Sequence, residues 1–218
     1  MTQINSAEEA LKRFSTPAAA EKYQGALVGT RKHHREVACV RKAFSSLPDG
    51  SHILDFPCGT GRLSAELAEM GFDISIADSS RHMVDRAISY LRTRNVSTLS
   101  AFVSDVLSPT PPADGFDGVL CNRLFHHFFE SETRIAALRQ LSTLSSGPIL
   151  VSYYATGCLD AMTFKVKNAI RRRNPTDRVP IAPSLFEYEI RAAGMQQKQV
   201  IHSRPGISMQ TYVLLSRG

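Results

Sequence analysis

Short apolar runs alternate with amphipathic stretches along most of this chain, and the two periods predict its elements. Residues 52–56 (HILDF) and 73–77 (DISIA) are brief apolar runs bounded by turn residues, the pattern of buried strands. Runs at 99–104, at 116–121 (FDGVLC) and at 148–154 (PILVSYY) repeat it. Between them, apolar positions recur three and four residues apart. Met83, Ala87, Ile88 and Leu91 do so within a helix predicted over 80–94, and Ile135, Leu138 and Leu141 within one over 131–145. Residues 62–70 fit a further helix between the first two strands. Strands and helices alternating at this spacing predict parallel β-α-β units, right-handed crossovers and a sheet covered on both faces. Ligands of such sheets sit at the carboxyl ends of the strands, near the point where strand order reverses.

The pattern changes at both ends. Residues 1–47 read as a polar helical cap, with Ser6 and Glu9 as a capping box and with Pro17, Gly25 and Gly29 as interruptions. Its second helix is predicted over 30–46, closed by the turn Pro48-Asp49-Gly50. Residues 48–218 then form the main domain, from which 155–183 departs as a helical insertion after the fifth strand. The insertion holds a helix at about 159–173 and a proline-rich exit at Pro175, Pro180 and Pro183. A helix over 184–193 ends at Gly194. The tail, 196–203 and 208–216, reads as two strands around Arg204-Pro205-Gly206. There is no internal repeat.

Composition narrows the class. With 218 residues, 43% hydrophobic and 21% charged, the chain suits one medium α/β domain and not a disordered protein. No apolar run approaches the roughly 18–20 residues of a membrane span, and MTQINSAEEALKRF has no leader-like apolar core. Cys39, Cys58, Cys121 and Cys158 form no C-x-x-C pair, so reduced cytoplasmic thiols are expected, with no disulfide framework and no metal site. The net charge of +6 is concentrated. Residues 11–42 carry eight Lys/Arg against two Asp/Glu, and KVKNAIRRR (165–173) carries five basic residues and no acid, leaving the remainder net acidic. Such runs are either solvated helix faces or attract something anionic.

The informative stretch is Asp55-Phe56-Pro57-Cys58-Gly59-Thr60-Gly61-Arg62, a strand running into a glycine turn and a helix. Taken alone, Gly59-Thr60-Gly61 is compatible with a plain tight β-α turn. Three acids change the picture. Asp55, Asp78 and Asp105 each stand at the end of one of three successive strands, although any one of them is also compatible with a helix cap. A nicotinamide site would show G-x-G-x-x-G, and here Ser64 stands in place of the third glycine. Asp55 would also repel a pyrophosphate. It suits a cationic ligand that has a ribose and an adenine but no phosphate.

These residues resemble the class I S-adenosylmethionine-dependent methyltransferases over about 53–153. The family's first motif, D-x-G-C-G-T-G, appears as Asp55 to Gly61 with Pro57 in place of the first glycine. Its acidic motif appears as Asp78-Ser79-Ser80-Arg81-His82-Met83, its third motif as Ser104-Asp105-Val106, and the segment after strand 4 as Asn122-Arg123-Leu124-Phe125-His126-His127. The resemblance implies a seven-stranded, mostly parallel Rossmann-like sheet with the last strand antiparallel. It implies S-adenosylmethionine as cofactor. Asp55, Pro57, Cys58, Gly59 and Gly61 would hold its methionine part, Asp78 the ribose, and Ser79, Met83, Asp105 and Val106 the adenine. Asn122 would lie nearby, and Arg31 is a candidate partner for the cofactor carboxylate.

A hydroxyl acceptor loses a proton as it is methylated, which suits an imidazole. His127 is the first candidate base and His126 the second, each also compatible with a packing role. Asn122-Arg123-Leu124-Phe125 lacks the prolines of amino-methylating DNA enzymes, and Cys121-Asn122 offers no carboxylate for magnesium. A second resemblance joins the Asp55–Gly61 loop, Arg123–His127 and Ser152-Tyr153-Tyr154. It is to methyltransferases associated with bacterial envelope glycolipid kinases, and implies a small-molecule, glycolipid or saccharide acceptor. The basic segments make that acceptor anionic and give the insertion helix a possible contact with an acidic membrane surface at the inner face of a cytoplasmic location. The alternatives are an RNA methyltransferase using the basic helices and a non-catalytic cofactor-binding partner.

Overall fold

The computed structural model describes residues 28–111, 115–172 and 178–218. In chain order these form α1 (Arg31–Phe44), β1 (His52–Asp55), α2 (Arg62–Ala68), β2 (Asp73–Asp78), α3 (Arg81–Thr93), β3 (Ser100–Val103) and β4 (Gly118–Cys121). A 3-10 turn, Phe125–His127, follows, then α4 (Ser131–Leu144), β5 (Ile149–Tyr154), α5 (Leu159–Ile170), α6 (Pro183–Ala192), β6 (Met195–His202) and β7 (Gln210–Arg217). The first part of the expected helical cap, with Ser6, Pro17 and Gly25, lies outside the described residues, as do Arg173 and Pro175.

One seven-stranded sheet runs β3-β2-β1-β4-β5-β7-β6. β1 to β5 pair in parallel, and β7 is antiparallel to both β5 and β6. Strand order reverses between β1 and β4, so a crevice opens at their carboxyl ends. The period of two along each strand sorts side chains to opposite faces. Ile53, Leu120 and Leu150 join α1, α2 and α3 in one apolar cluster. Leu54, Val119, Cys121 and Val151 join α4 and α6 in the other.

Local chemistry fixes the helix starts that matter most. Thr30 caps α1, its hydroxyl accepting from the His33 amide at 3.2 Å. Ser80 caps α3 by accepting from Met83. The insertion is anchored at its base: the Ile181 amide donates to Tyr154 at 2.7 Å, and the Leu159 and Asp160 amides donate to the 204–208 turn. Its helix ends at Ile170, three residues short of the expected limit.

A buried ion pair locks the segment after β4. Arg134 on α4 donates to both carboxylate oxygens of Glu189 on α6 and to the carbonyls of Phe128 and Phe129 at 2.7 and 2.9 Å. Both side chains are essentially excluded from solvent. Arg134→Ala would leave Glu189 buried without its counter-charge, so a loss of about 3 kcal/mol is expected. Urea unfolding measures it, and an unchanged midpoint would contradict this role.

Candidate functional site

β1 delivers Asp55 to the crevice, and the chain then turns through Phe56, a cis-peptide-linked Pro57, and Cys58 to Gly61. The turn is pinned on both sides, the Phe56 amide donating to Leu120 at 2.9 Å and the Cys58 amide to Ala77 at 2.8 Å. The two glycines have different work. Gly59, at φ +54, lines the crevice, and a Cβ there would meet open space. Gly61, at φ +76, faces α3, where a Cβ would approach the Ala87 backbone and Cβ at 3.1 Å. Gly61 therefore lets α3 close on the turn, and it is not among the crevice-lining residues.

Asp55, Asp78 and Asp105 line one crevice, with Pro57, Cys58, Ser79, Met83, Val106, Asn122 and His127. Asp55 is buried, and its Oδ2 accepts from the Ser64 hydroxyl at 2.6 Å. Burial pushes its carboxyl up to about 7, against the pull of Ser64 and Arg62 and with a smaller push from Asp78. Such a group gains most from a cation brought beside it. Asp78 accepts from the Gly59 amide through Oδ2 and from the Ser80 amide through Oδ1, each at 3.0 Å. Burial raises its carboxyl too. Ser79 also hydrogen-bonds this carboxylate, which lines the crevice where a ligand's hydroxyls reach it. Asp105 does double duty: Oδ1 caps the Leu107 amide at 2.9 Å while the residue lines the crevice. Met83 and Val106 add apolar walls.

Arginine placement differs from expectation. Arg31 is exposed on α1 and is not among the lining residues. Arg62 and Arg123 do line the crevice, Arg62 being held by Glu36 and His33, with His33 in turn 3.1 Å from Glu66. The position of Arg62 directly after Gly61 was the available signal, since the first helical residue faces the turn. Cys58 and Cys121 are buried, and burial raises both thiols, which rules against a thiolate nucleophile at neutral pH.

The two histidines separate. His126 is buried, its ring stacked on Tyr154 at 3.9 Å and 8°, and its carbonyl accepts from the Val179 amide at 2.8 Å. Burial drives its imidazole well below the ordinary value, and the charges of His127, Arg123, Arg178 and Lys32 add to this. His127 faces the crevice. Beside it stands Arg123, a non-glycine residue at φ +61 whose amide donates to the Ser152 hydroxyl at 2.8 Å. Ser152 donates to Asn122 Oδ1 at 2.7 Å, and Gln210 donates to the same oxygen and to the Tyr212 hydroxyl. This buried network holds Asn122 and Arg123 in place, over-determining an uncommon backbone conformation. Among the described residues no three His, Cys, Asp or Glu gather as metal ligands, and no helix is long and apolar enough to cross a membrane.

The model of the family described as "Methyltransferase domain" matches residues 53–145. The tRNA (carboxymethyluridine(34)-5-O)-methyltransferase alkbh8 of Xenopus tropicalis is 32% identical over 146 residues, which are 65% of this chain and 21% of that protein. An uncharacterized methyltransferase of Geobacillus thermodenitrificans is 29% identical over 135 residues, 61% of each chain. The chain thus spans between about a fifth and three fifths of these relatives. In structure it is similar to the magnesium protoporphyrin IX methyltransferase ChlM of Synechocystis PCC 6803 with bound S-adenosylhomocysteine. The TM-score is 0.75 at 17% identity, over 98% of this chain and 100% of that one. It is also similar to the mitomycin 7-O-methyltransferase MmcR, with a TM-score of 0.74 at 18% identity, over 97% and 60% respectively. These likenesses establish the fold.

Proposed function

We propose that this chain is a class I S-adenosylmethionine-dependent methyltransferase and that it transfers the methyl group to an oxygen of an anionic small or lipid-linked acceptor. The carrying observation is Asp55, a buried carboxylate at the strand-order reversal whose hydrogen-bond partner is a neutral hydroxyl. A cationic ligand without phosphate satisfies it. In this reading residues 48–218 are the catalytic domain, 155–183 its lid and 1–47 its cap.

The residues fit such a cofactor. Asp55 faces the cationic amino-acid end, with Gly59 giving close backbone access. Asp78 accepts from the ribose hydroxyls, and Asp105, Ser79, Met83 and Val106 frame the adenine. S-adenosylmethionine supplies a methyl group activated by a positive sulfonium. The protein's part is alignment of an acceptor oxygen opposite that bond, which is largely an entropic task. His127 is placed to take the acceptor's proton. His126 serves as a packed support for it. Arg123 lines the crevice and gives it positive charge, which favours an anionic acceptor and eases ionisation of its hydroxyl. The names of MmcR and of the Xenopus relative, both O-methyltransferases, support oxygen as the target.

The pH dependence of binding has a definite sign. In the free protein Asp55 is protonated below about pH 7. A cationic ligand binds its carboxylate, so affinity falls as pH drops through about 7, and binding there releases a proton. The raised carboxyl of Asp78 acts in the same direction. Calorimetry at pH 6 in buffers of different ionisation enthalpy should show proton release that falls in Asp55→Asn. Buffer-independent heats would contradict the assignment.

The Xenopus relative's name favours a second reading, in which the acceptor is RNA. A filter-binding salt series separates the two, because an RNA-binding face shows a steep loss of affinity with salt.

A further inference from the structure

Outside the crevice, the feature that the methyltransferase reading leaves unused is the outer face of α5. Leu159, Met162, Val166 and Ile170 are 55%, 62%, 56% and 77% exposed. At 100° per residue these four fall within one stripe about 80° wide. Lys167 and Arg171 flank it on one side, with Asp160 between them in angle at the first turn, and Lys165 flanks it on the other. Ala161, on the opposite face, is the residue of α5 that is buried. The helix meets the domain through Ala161 in its first turn, and presents a row of large aliphatic side chains outward. Exposed rows of this kind mark interaction sites.

Three occupants can be weighed on chemistry. A second copy of this chain would bring the same basic borders against these, and like charges would face each other across a two-fold interface. Nucleic acid would use the basic borders, but its bases stack on aromatic rings or arginine planes, and the stripe is entirely aliphatic. An anionic bilayer uses both features at once: the aliphatic row enters the acyl boundary while the ammonium and guanidinium groups stay with the headgroups. At 12 residues α5 is about 18 Å long, too short to span and suited to lying in the interface.

We propose that α5 docks this protein on an anionic lipid surface. The helix leaves the sheet directly after Tyr154, at the same carboxyl edge that holds the crevice, and its first turn is tied to the 204–208 turn. Docking would hold that edge near the headgroups, where an amphiphilic acceptor with an acidic head reaches Arg123 and His127. This last step rests on the methyltransferase reading. The docking itself does not.

The test is co-sedimentation of the full chain with vesicles of phosphatidylcholine alone and with phosphatidylglycerol added. Wild type should partition onto the phosphatidylglycerol vesicles at least about tenfold more strongly, and the difference should shrink with salt. Val166→Asp should abolish it by placing a charge in the stripe. Lys165→Glu with Lys167→Glu should abolish it by removing the borders, both at exposed positions that leave the fold intact. S-adenosylmethionine calorimetry on each variant should match wild type, which separates failure of docking from failure of the catalytic reading. Equal partitioning on neutral and anionic vesicles, or binding that survives Val166→Asp, would overturn the proposal. So would a concentration-dependent oligomer that Val166→Asp dissolves.

Discussion

Asp78→Ala is expected to weaken S-adenosylmethionine binding by about two orders of magnitude. The side chain stands at the end of β2 with its oxygens steered by the Gly59 and Ser80 amides. The carboxylate lines the crevice and is the group proposed to accept from the ribose hydroxyls. Hydrogen bonds to a charged group contribute about 1.5–3 kcal/mol each, and a factor of ten in affinity is about 1.4 kcal/mol. Losing two costs at least about 3 kcal/mol, which predicts a loss of at least about a hundredfold. Asp78→Asn keeps one acceptor oxygen and should lose about tenfold. The alanine variant also strands two backbone donors, so its melting temperature should fall, which calls for calorimetry well below the melt. An unchanged dissociation constant in either variant would remove Asp78 from the cofactor site.

His127→Ala is expected to lower turnover by about a hundredfold or more, within the range for a positioned general base. Cofactor affinity should stay near wild type, because the imidazole faces the acceptor side of the crevice. His126→Ala should behave differently. That ring is buried against Tyr154, and its loss should lower stability first and turnover through it. Equal loss of affinity and turnover in His127→Ala would mean that the residue holds the crevice together and does not act on the acceptor.

The sheet was legible because each strand is a short apolar run with alternating faces, and because β-α-β spacing restricts the topology to few choices. Element ends moved by one to three residues, as at Ile170, since helix termini fray and carry little pattern. The three acids were legible because they follow three successive apolar runs, although Asp78 and Asp105 also hold local backbone amides. What sequence did not separate was direction. Adjacent residues of a 3-10 turn point about 120° apart, so His126 goes into the core and His127 into the crevice. Nothing in the order His-His says which. Gly61 looked like a ligand contact, but its glycine is required by Ala87 of α3, a neighbour 26 positions away. Arg123 was hidden because its placement depends on Ser152, Asn122 and Gln210, three residues from separate strand ends. Arg62 was missed in favour of Arg31, because its burial follows from the ion pair with Glu36.

The central claim is methyl transfer at this crevice. Its most direct test is incubation of the purified protein with methyl-labelled S-adenosylmethionine and fractionated cell extract, followed by mass spectrometry of the labelled product. Label is expected in an acidic, oxygen-bearing compound heavier by one methylene unit, and strongly reduced when Asp78→Ala replaces wild type. Tight cofactor binding with no labelled acceptor in any fraction, lipid and RNA fractions included, would contradict it and make the chain a cofactor-binding partner protein.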